Sequence, residues 1–291
     1  MILARRPPRF ALIVALTCAA LLLLYNPYRL SPSTPAPAPA LLQHNVQFRP
    51  SSFNWSTAKL FYPVSTPLTP LPTGKPLNLP SVQHDFGAKN PHPEAPKRQK
   101  AVRDVFKKSY GSYKRYAWTR DELTPVSLSG KDTFGGWAAS LVDSLNTLWI
   151  MGFRNEFYTA AEVAAQLDWA KTTKQSANMF KTTIRHLGGL LSAYDLSSEV
   201  TLLEKAKELG DMLYMGFNTP NRIPGFWINF KDAKKGSQLA SAHDPSASPY
   251  SLSLKFTQLS QLTSNIKYFN TINHISRFLE RTQYQSRLPG I

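Results

Sequence analysis

The chain has 291 residues, 34 basic side chains against 18 acidic ones, a formal net charge of +16, 42% apolar residues and one cysteine. The lone Cys18 excludes an internal disulfide, a CxxC redox pair and a cysteine-rich zinc site. Seventeen of the 23 prolines precede residue 97, which excludes one compact globule running from end to end. The charge is spread evenly: residues 1–98 and residues 99–291 each carry a net +8. No basic run is interleaved with aromatics and no helix–turn–helix or RNA-binding signature occurs, so the balance does not point to nucleic acid.

Residues 1–9 hold Arg5, Arg6 and Arg9, and residues 10–25 read FALIVALTCAALLLLY. Sixteen apolar residues at helical rise cover about 24 Å, a short membrane span. A cleaved signal peptide has the same outline, but the bulky or rigid Tyr25, Asn26, Pro27 and Tyr28 supply no small-residue cleavage site. The preferred reading is a signal anchor over 10–25. Its basic flank keeps residues 1–9 in the cytosol and sends the rest into the lumen.

Residues 26–98 contain 15 prolines and predict an extended, disordered stem. Within it, Asn54-Trp55-Ser56 is a glycosylation sequon. From residue 99 the periodicity turns helical. Val102, Val105, Phe106, Tyr110, Tyr113 and Tyr116 form one apolar stripe over 101–118. Further helices are predicted at 136–151, 156–170, 178–195, 199–215, 250–263 and 266–283, with breakers between them and no convincing strand. The fold class is all-α, built of helix pairs.

Nucleotide-binding glycine loops, HExxH and GxSxG are absent, and the six histidines lack metal-ligand spacing. Asp143 stands among apolar neighbours in LVDSLNTLW, and a carboxylate there is either paired structurally or part of a site. Asp121 and Glu122 follow the first helix, where a solvated turn or a helix cap is the plainer reading.

Four blocks, AWTRDELTPVS (117–127), FGGWAASLVDSLNTLWIMG (134–152), TTIRHLGGLLSAYDLS (182–197) and LKFTQLSQLT (254–263), together resemble the family 47 glycoside hydrolases. These are class I α-1,2-mannosidases of the endoplasmic reticulum and Golgi. The resemblance runs from about residue 99 to the C-terminus. It implies the first half of an (αα)7 barrel and inverting hydrolysis of terminal α-1,2-mannose on high-mannose N-glycans. It also implies a calcium ion whose ligand residue lies outside this sequence. Asp121, Glu122 and Arg185 become substrate-binding candidates, and Asp143 a residue needed for activity. The resemblance further implies more chain than ends at Ile291, carrying the general base.

The sequence departs from that pattern where the chemistry is concentrated. The family's acid opens a FETTIR-like block, which here reads Phe180-Lys181-Thr182-Thr183-Ile184-Arg185, so Lys181 holds the acid position. An inverting glycosidase needs one carboxylic acid to protonate the leaving oxygen and a carboxylate base across the sugar. A lysine ammonium, ordinarily near 10.4, is a far weaker donor than a glycosidase acid tuned to about 6, and its charge opposes a cationic transition state. Asn146 replaces a family Asp, Lys255 a family Glu, Ser264-Asn265 a Gly-Asp pair, and Ser248 a further Glu. The expectation is a mannosidase relative with crippled catalysis. Two alternatives stand beside it: a non-catalytic glycan binder using Arg185, Trp137 and Trp149, and a decayed membrane-anchored fragment.

Overall fold

The computed structural model describes residues 45–74, 92–236, 238 and 247–283. The chain divides between Asn45 and Val46, and only the unit from Val46 onward is considered below. The anchor expected at 10–25 lies outside the described residues. Among those described, no helix is long and apolar enough to cross a membrane.

The helices are α1 (Ala95–Tyr116), α2 (Ala139–Ile150), α3 (Arg154–Ala164), α4 (Met179–Thr182), α5 (Gly188–Ser197), α6 (Val200–Tyr214), α7 (Phe230–Lys235), α8 (Ala247–Tyr250), α9 (Ser253–Thr263) and α10 (Ile266–Gln283). A π-helical turn, Thr183–Leu187, joins α4 to α5, so that 179–197 runs as one helix, the one expected at 178–195. Two small antiparallel strand pairs were not expected. Strand β1 (Glu122–Thr124) pairs with β2 (Ser129–Lys131), and β3 (Ser176–Asn178) with β4 (Trp227–Asn229). At three residues each they are too short to show alternation.

The helices fold as hairpins: α2 packs on α3, α5 on α6 and α9 on α10, with α2 also against α5 and α6 against α9. Leu141, Leu145, Leu148, Leu190, Leu191, Leu209, Leu213, Phe256 and Leu259 fill the shared core. Backbones approach closely at Gly189, where a Cβ would stand 2.7 Å from the Val142 carbonyl oxygen. Between α6 and α10, the Asp211 carboxylate accepts from Lys267 Nζ and the Tyr268 hydroxyl, both at 2.5 Å. The stripe of α1 is only half used. Tyr110 and Tyr113 are buried, whereas Val102 and Val105, in its N-terminal half, are exposed.

Each hairpin turn contains a left-handed residue: Gly152, Ser198 and Ser264, with φ of 77°, 59° and 56°. A side chain in that region costs roughly 1–2 kcal/mol, which is why glycine dominates such helix ends. Ser264 is the position where the resemblance expects glycine. Ser264→Gly is therefore expected to stabilise the fold by about 1 kcal/mol, read as a higher urea midpoint at an unchanged slope. Asn265, just after it, accepts from the Lys267 N–H at 3.2 Å and so caps α10.

The stem expectation needs correction. Residues 46–73 pack on the helices. Trp55 is buried in the core, edge-on to Phe53 and beside Phe230. The Arg49 N–H donates to the Ala165 carbonyl. Buried Lys205 donates to the Arg49 and Leu167 carbonyls and to Glu208, at 2.6, 2.8 and 2.8 Å. Glu208 in turn accepts from the Ser51 N–H and hydroxyl. Burial pulls the Lys205 ammonium below its ordinary range, with Glu208 opposing. The buried Asn218 side chain accepts from the Phe61 and Tyr62 N–H groups. Prolines exclude a long α-helix and a central strand from this segment, but not docking through backbone groups to fixed side chains.

Candidate functional site

The helix 179–197 carries the candidate site. Asn178 caps it by accepting from the Lys181 N–H at 2.8 Å. Its polar residues Lys181, Arg185, Ser192 and Asp195 recur at helical steps and form one seam with Gly188. On one side lies α2, with Asp143 and Asn146; on the other lies α9, with Lys255 and Gln258. Arg185 Nη1 meets Asp143 Oδ2 at 2.8 Å, both side chains about two-fifths exposed. One turn on, Asn146 Nδ2 donates to Ser192 Oγ at 3.3 Å. Lys255 lays its stem over Gly188, with Cε 3.4 Å from where a Cβ would stand, and Nζ donates to Gln258 Oε1 at 3.2 Å. Gln258 then donates to Asp195 Oδ2.

Lys181 is exposed, and among the described residues no carboxylate pairs with its Nζ. Its ammonium lies 5.7 Å from the centroid of the Phe134 ring, and the Arg185 guanidinium 4.8 Å from the same centroid. Two cations thus share one aromatic ring. Burial pushes the Asp143 carboxyl above its ordinary range, although the Arg185 bond and charge pull it back.

Phe134 is held there by Asp121. The Asp121 side chain is fully buried. One carboxylate oxygen accepts from the Phe134 and Gly136 N–H groups at 2.7 and 2.8 Å; the other accepts from the Ala139 N–H at 3.2 Å. Gly135, Gly136 and Ala138 all have positive φ, and this wraps the loop around the carboxylate. The substrate contact expected of Asp121 is thereby corrected: its oxygens are occupied by backbone donors. Glu122 stands half-buried in β1, in register with Lys131, and its carboxylate makes no hydrogen bond or ion pair with the described residues. The lectin-like role imagined for Trp137 also fails. That ring is buried among Trp169, Phe230 and His186, with its N–H donating to the Asp168 and Lys171 carbonyls. Trp149 is engaged by Phe157 and by Arg154, whose Cζ lies 3.5 Å from its ring centroid.

His186 was missed by the sequence reading. It sits fully buried, edge-on to Trp137 and Trp169, and neither ring nitrogen reaches a hydrogen-bond partner among the described residues. Burial pulls it down to about 4, while the Asp121 charge acts the other way.

Residues 105–291 match the sequence profile of glycosyl hydrolase family 47. The chain belongs to that family. A mannosyl-oligosaccharide 1,2-alpha-mannosidase, MNS1 of Arabidopsis thaliana, is 41% identical over 196 residues, covering 63% of this chain and 33% of the plant protein. The endoplasmic reticulum mannosyl-oligosaccharide 1,2-alpha-mannosidase of Homo sapiens is 37% identical over 183 residues, 62% of this chain and 26% of the human one. An alpha-1,2-mannosidase from Trichoderma reesei superposes with a TM-score of 0.58 at 32% identity, covering 63% of this chain and 40% of that structure. The chain spans about a third or less of the length of the two curated relatives.

Within the family 47 segment, Asp143 and Arg185 are brought together from 42 residues apart, and Lys181 joins them through Phe134. The calcium that the family implies finds no cradle among the described residues. Calcium takes six to eight oxygen ligands, many from carboxylates. Among the described residues no group of three or more His, Cys, Asp or Glu gathers, and the seam presents Lys181, Arg185 and Lys255 instead.

Proposed function

We propose that this family 47 chain descends from a mannosyl-oligosaccharide α-1,2-mannosidase, keeps the sugar-facing seam of an (αα)7 barrel, and does not cleave glycosidic bonds. The observation that carries this reading is Lys181, exposed at the acid position with no carboxylate paired to it among the described residues. Inverting hydrolysis needs a proton delivered to the leaving oxygen while a base activates water across the ring. Of the two carboxylates on the seam, Asp143 is held by Arg185 and Asp195 by Gln258. A cation at the acid position also repels the positive charge that grows on the sugar. The relatives' names place their action on mannosyl-oligosaccharides, and the family resemblance makes these the high-mannose N-glycans. The endoplasmic reticulum in the human relative's name supports a secretory-pathway address, and the family resemblance extends it to the endoplasmic reticulum or Golgi. A single span over 10–25, with the helical part lumenal, fits the sequence of that segment.

The test is mannose release from a high-mannose oligosaccharide by the full chain. The expected result is no release above a no-protein control over days; measurable release overturns the reading. A second reading, glycan binding without cleavage, is favoured by the half-exposed Arg185 and Phe134 at the seam. It predicts retention on an oligomannose array that Arg185→Ala abolishes.

A further inference from the structure

The sequence contains a single Asn-X-Ser/Thr sequon, Asn54-Trp55-Ser56, and the structure gives it a form in which modification and folding coexist. Asn54 is exposed and caps the 3₁₀ turn Trp55–Thr57. The capping atom is Oδ1, which accepts from the Ser56 N–H at 3.1 Å and the Ser56 hydroxyl at 2.7 Å. The amide Nδ2, the atom that would carry a sugar, takes no part in the cap. The following residue, Trp55, points the other way. It is buried beside Phe53 and Phe230, with the Lys234 ammonium 5.9 Å from its ring centroid. The turn therefore has one side plugged into the core and one side open to solvent. Only the open side bears the acceptor.

We propose that Asn54 Nδ2 is a site of N-linked glycosylation, taking a preassembled oligosaccharide from a pyrophosphoryl-lipid donor. In that transfer a bond forms between Nδ2 and C1 of the first sugar. The bond from C1 to the pyrophosphate oxygen breaks, the lipid pyrophosphate leaves with the electron pair, and Nδ2 gives up one proton. The carbonyl oxygen of the amide is untouched, so the cap on the turn survives. The attached glycan is bulky and solubilising. It would stand over the segment 46–73, which is held on the helices largely by bonds from backbone groups.

The proposal rests on the secretory-pathway reading above, and the test separates the two. The full chain, its Asn54→Gln and Ser56→Ala variants, and Asn54→Gln combined with Lys171→Asn are expressed in a eukaryotic host and run before and after endoglycosidase. Lys171 is exposed, and its replacement places an asparagine two residues before the exposed Thr173. The expected result is one downward mobility step for the wild-type chain, absent from both single variants and restored in the double variant. Because Ser56→Ala leaves Asn54 in place, a folding defect of Asn54→Gln does not confound the outcome. No step in the wild type with a step in the double variant overturns the Asn54 site while leaving the lumenal address standing. No step in either overturns both. A step that survives Ser56→Ala also overturns the proposal.

Discussion

Asp121→Ala is expected to destabilise the domain by about 4 kcal/mol. Three backbone N–H groups, from Phe134, Gly136 and Ala139, donate to this carboxylate, and its side chain is fully buried. A hydrogen bond to a charged group contributes roughly 1.5–3 kcal/mol, and a buried donor left alone costs about 1–3 kcal/mol. Alanine removes every acceptor at once. The loop then has no reason to keep positive φ at Gly135, Gly136 and Ala138. The Ala139 N–H is also one of the unpaired donors of the first turn of α2, so the helix loses its cap. The measurement is the urea unfolding midpoint, with near-ultraviolet circular dichroism to follow Trp137 inside the same loop. Asp121→Asn distinguishes acceptor from charge, because the amide keeps one oxygen and is expected to lose about half as much. A shift below 1 kcal/mol for alanine would sink this account of the loop. The effect reaches the seam as well. Phe134 is the ring shared by Lys181 and Arg185, so a released loop should also weaken any oligomannose retention.

That dependence explains what was legible beforehand. The helix hairpins were, because their apolar residues recur at three and four and their turns hold Gly152, Ser198 or Ser264. Asp143 was legible as a carboxylate among apolar neighbours, but its partner was not, since Arg185 lies 42 residues away on another helix. The substrate role expected of Asp121 missed its burial, although a helix cap was among its plainer readings, because an acidic pair after a helix has the same local pattern whether it faces water or a loop. The signal was the Gly135-Gly136 pair, which marks a close backbone wrap around something. The segment 46–73 was misread because its contacts run through Lys205, Glu208 and Asn218, residues that look like surface polars in sequence. Ser264 shows the reverse case: the sequence said that a glycine was missing, and the backbone there is left-handed.

The second large effect is on pH. His186 is fully buried between two indoles and is held at about 4, against 6.5 for an unperturbed imidazole. Between those values the unfolded chain binds a proton that the folded one refuses. Stability therefore rises with pH across that window and falls as pH drops from about 6.5 toward 4. At about 1.4 kcal/mol per unit, the loss reaches about 3 kcal/mol by pH 4, and is negligible above pH 7. Asp143 works against this. Its carboxyl is raised by burial, so lowering the pH neutralises a charge that the fold holds at a disadvantage, and this favours the folded state. Other carboxylates make the raw acid profile ambiguous, which is why the comparison must be between variants. His186→Phe keeps an aromatic ring between Trp137 and Trp169 and removes the titration. Urea midpoints at pH 7, 5.5 and 4.5 should converge for that variant relative to wild type, with most of the difference appearing below pH 6. Parallel profiles for the two proteins would mean that His186 takes up its proton without resistance, and that the pocket between the tryptophans opens to water.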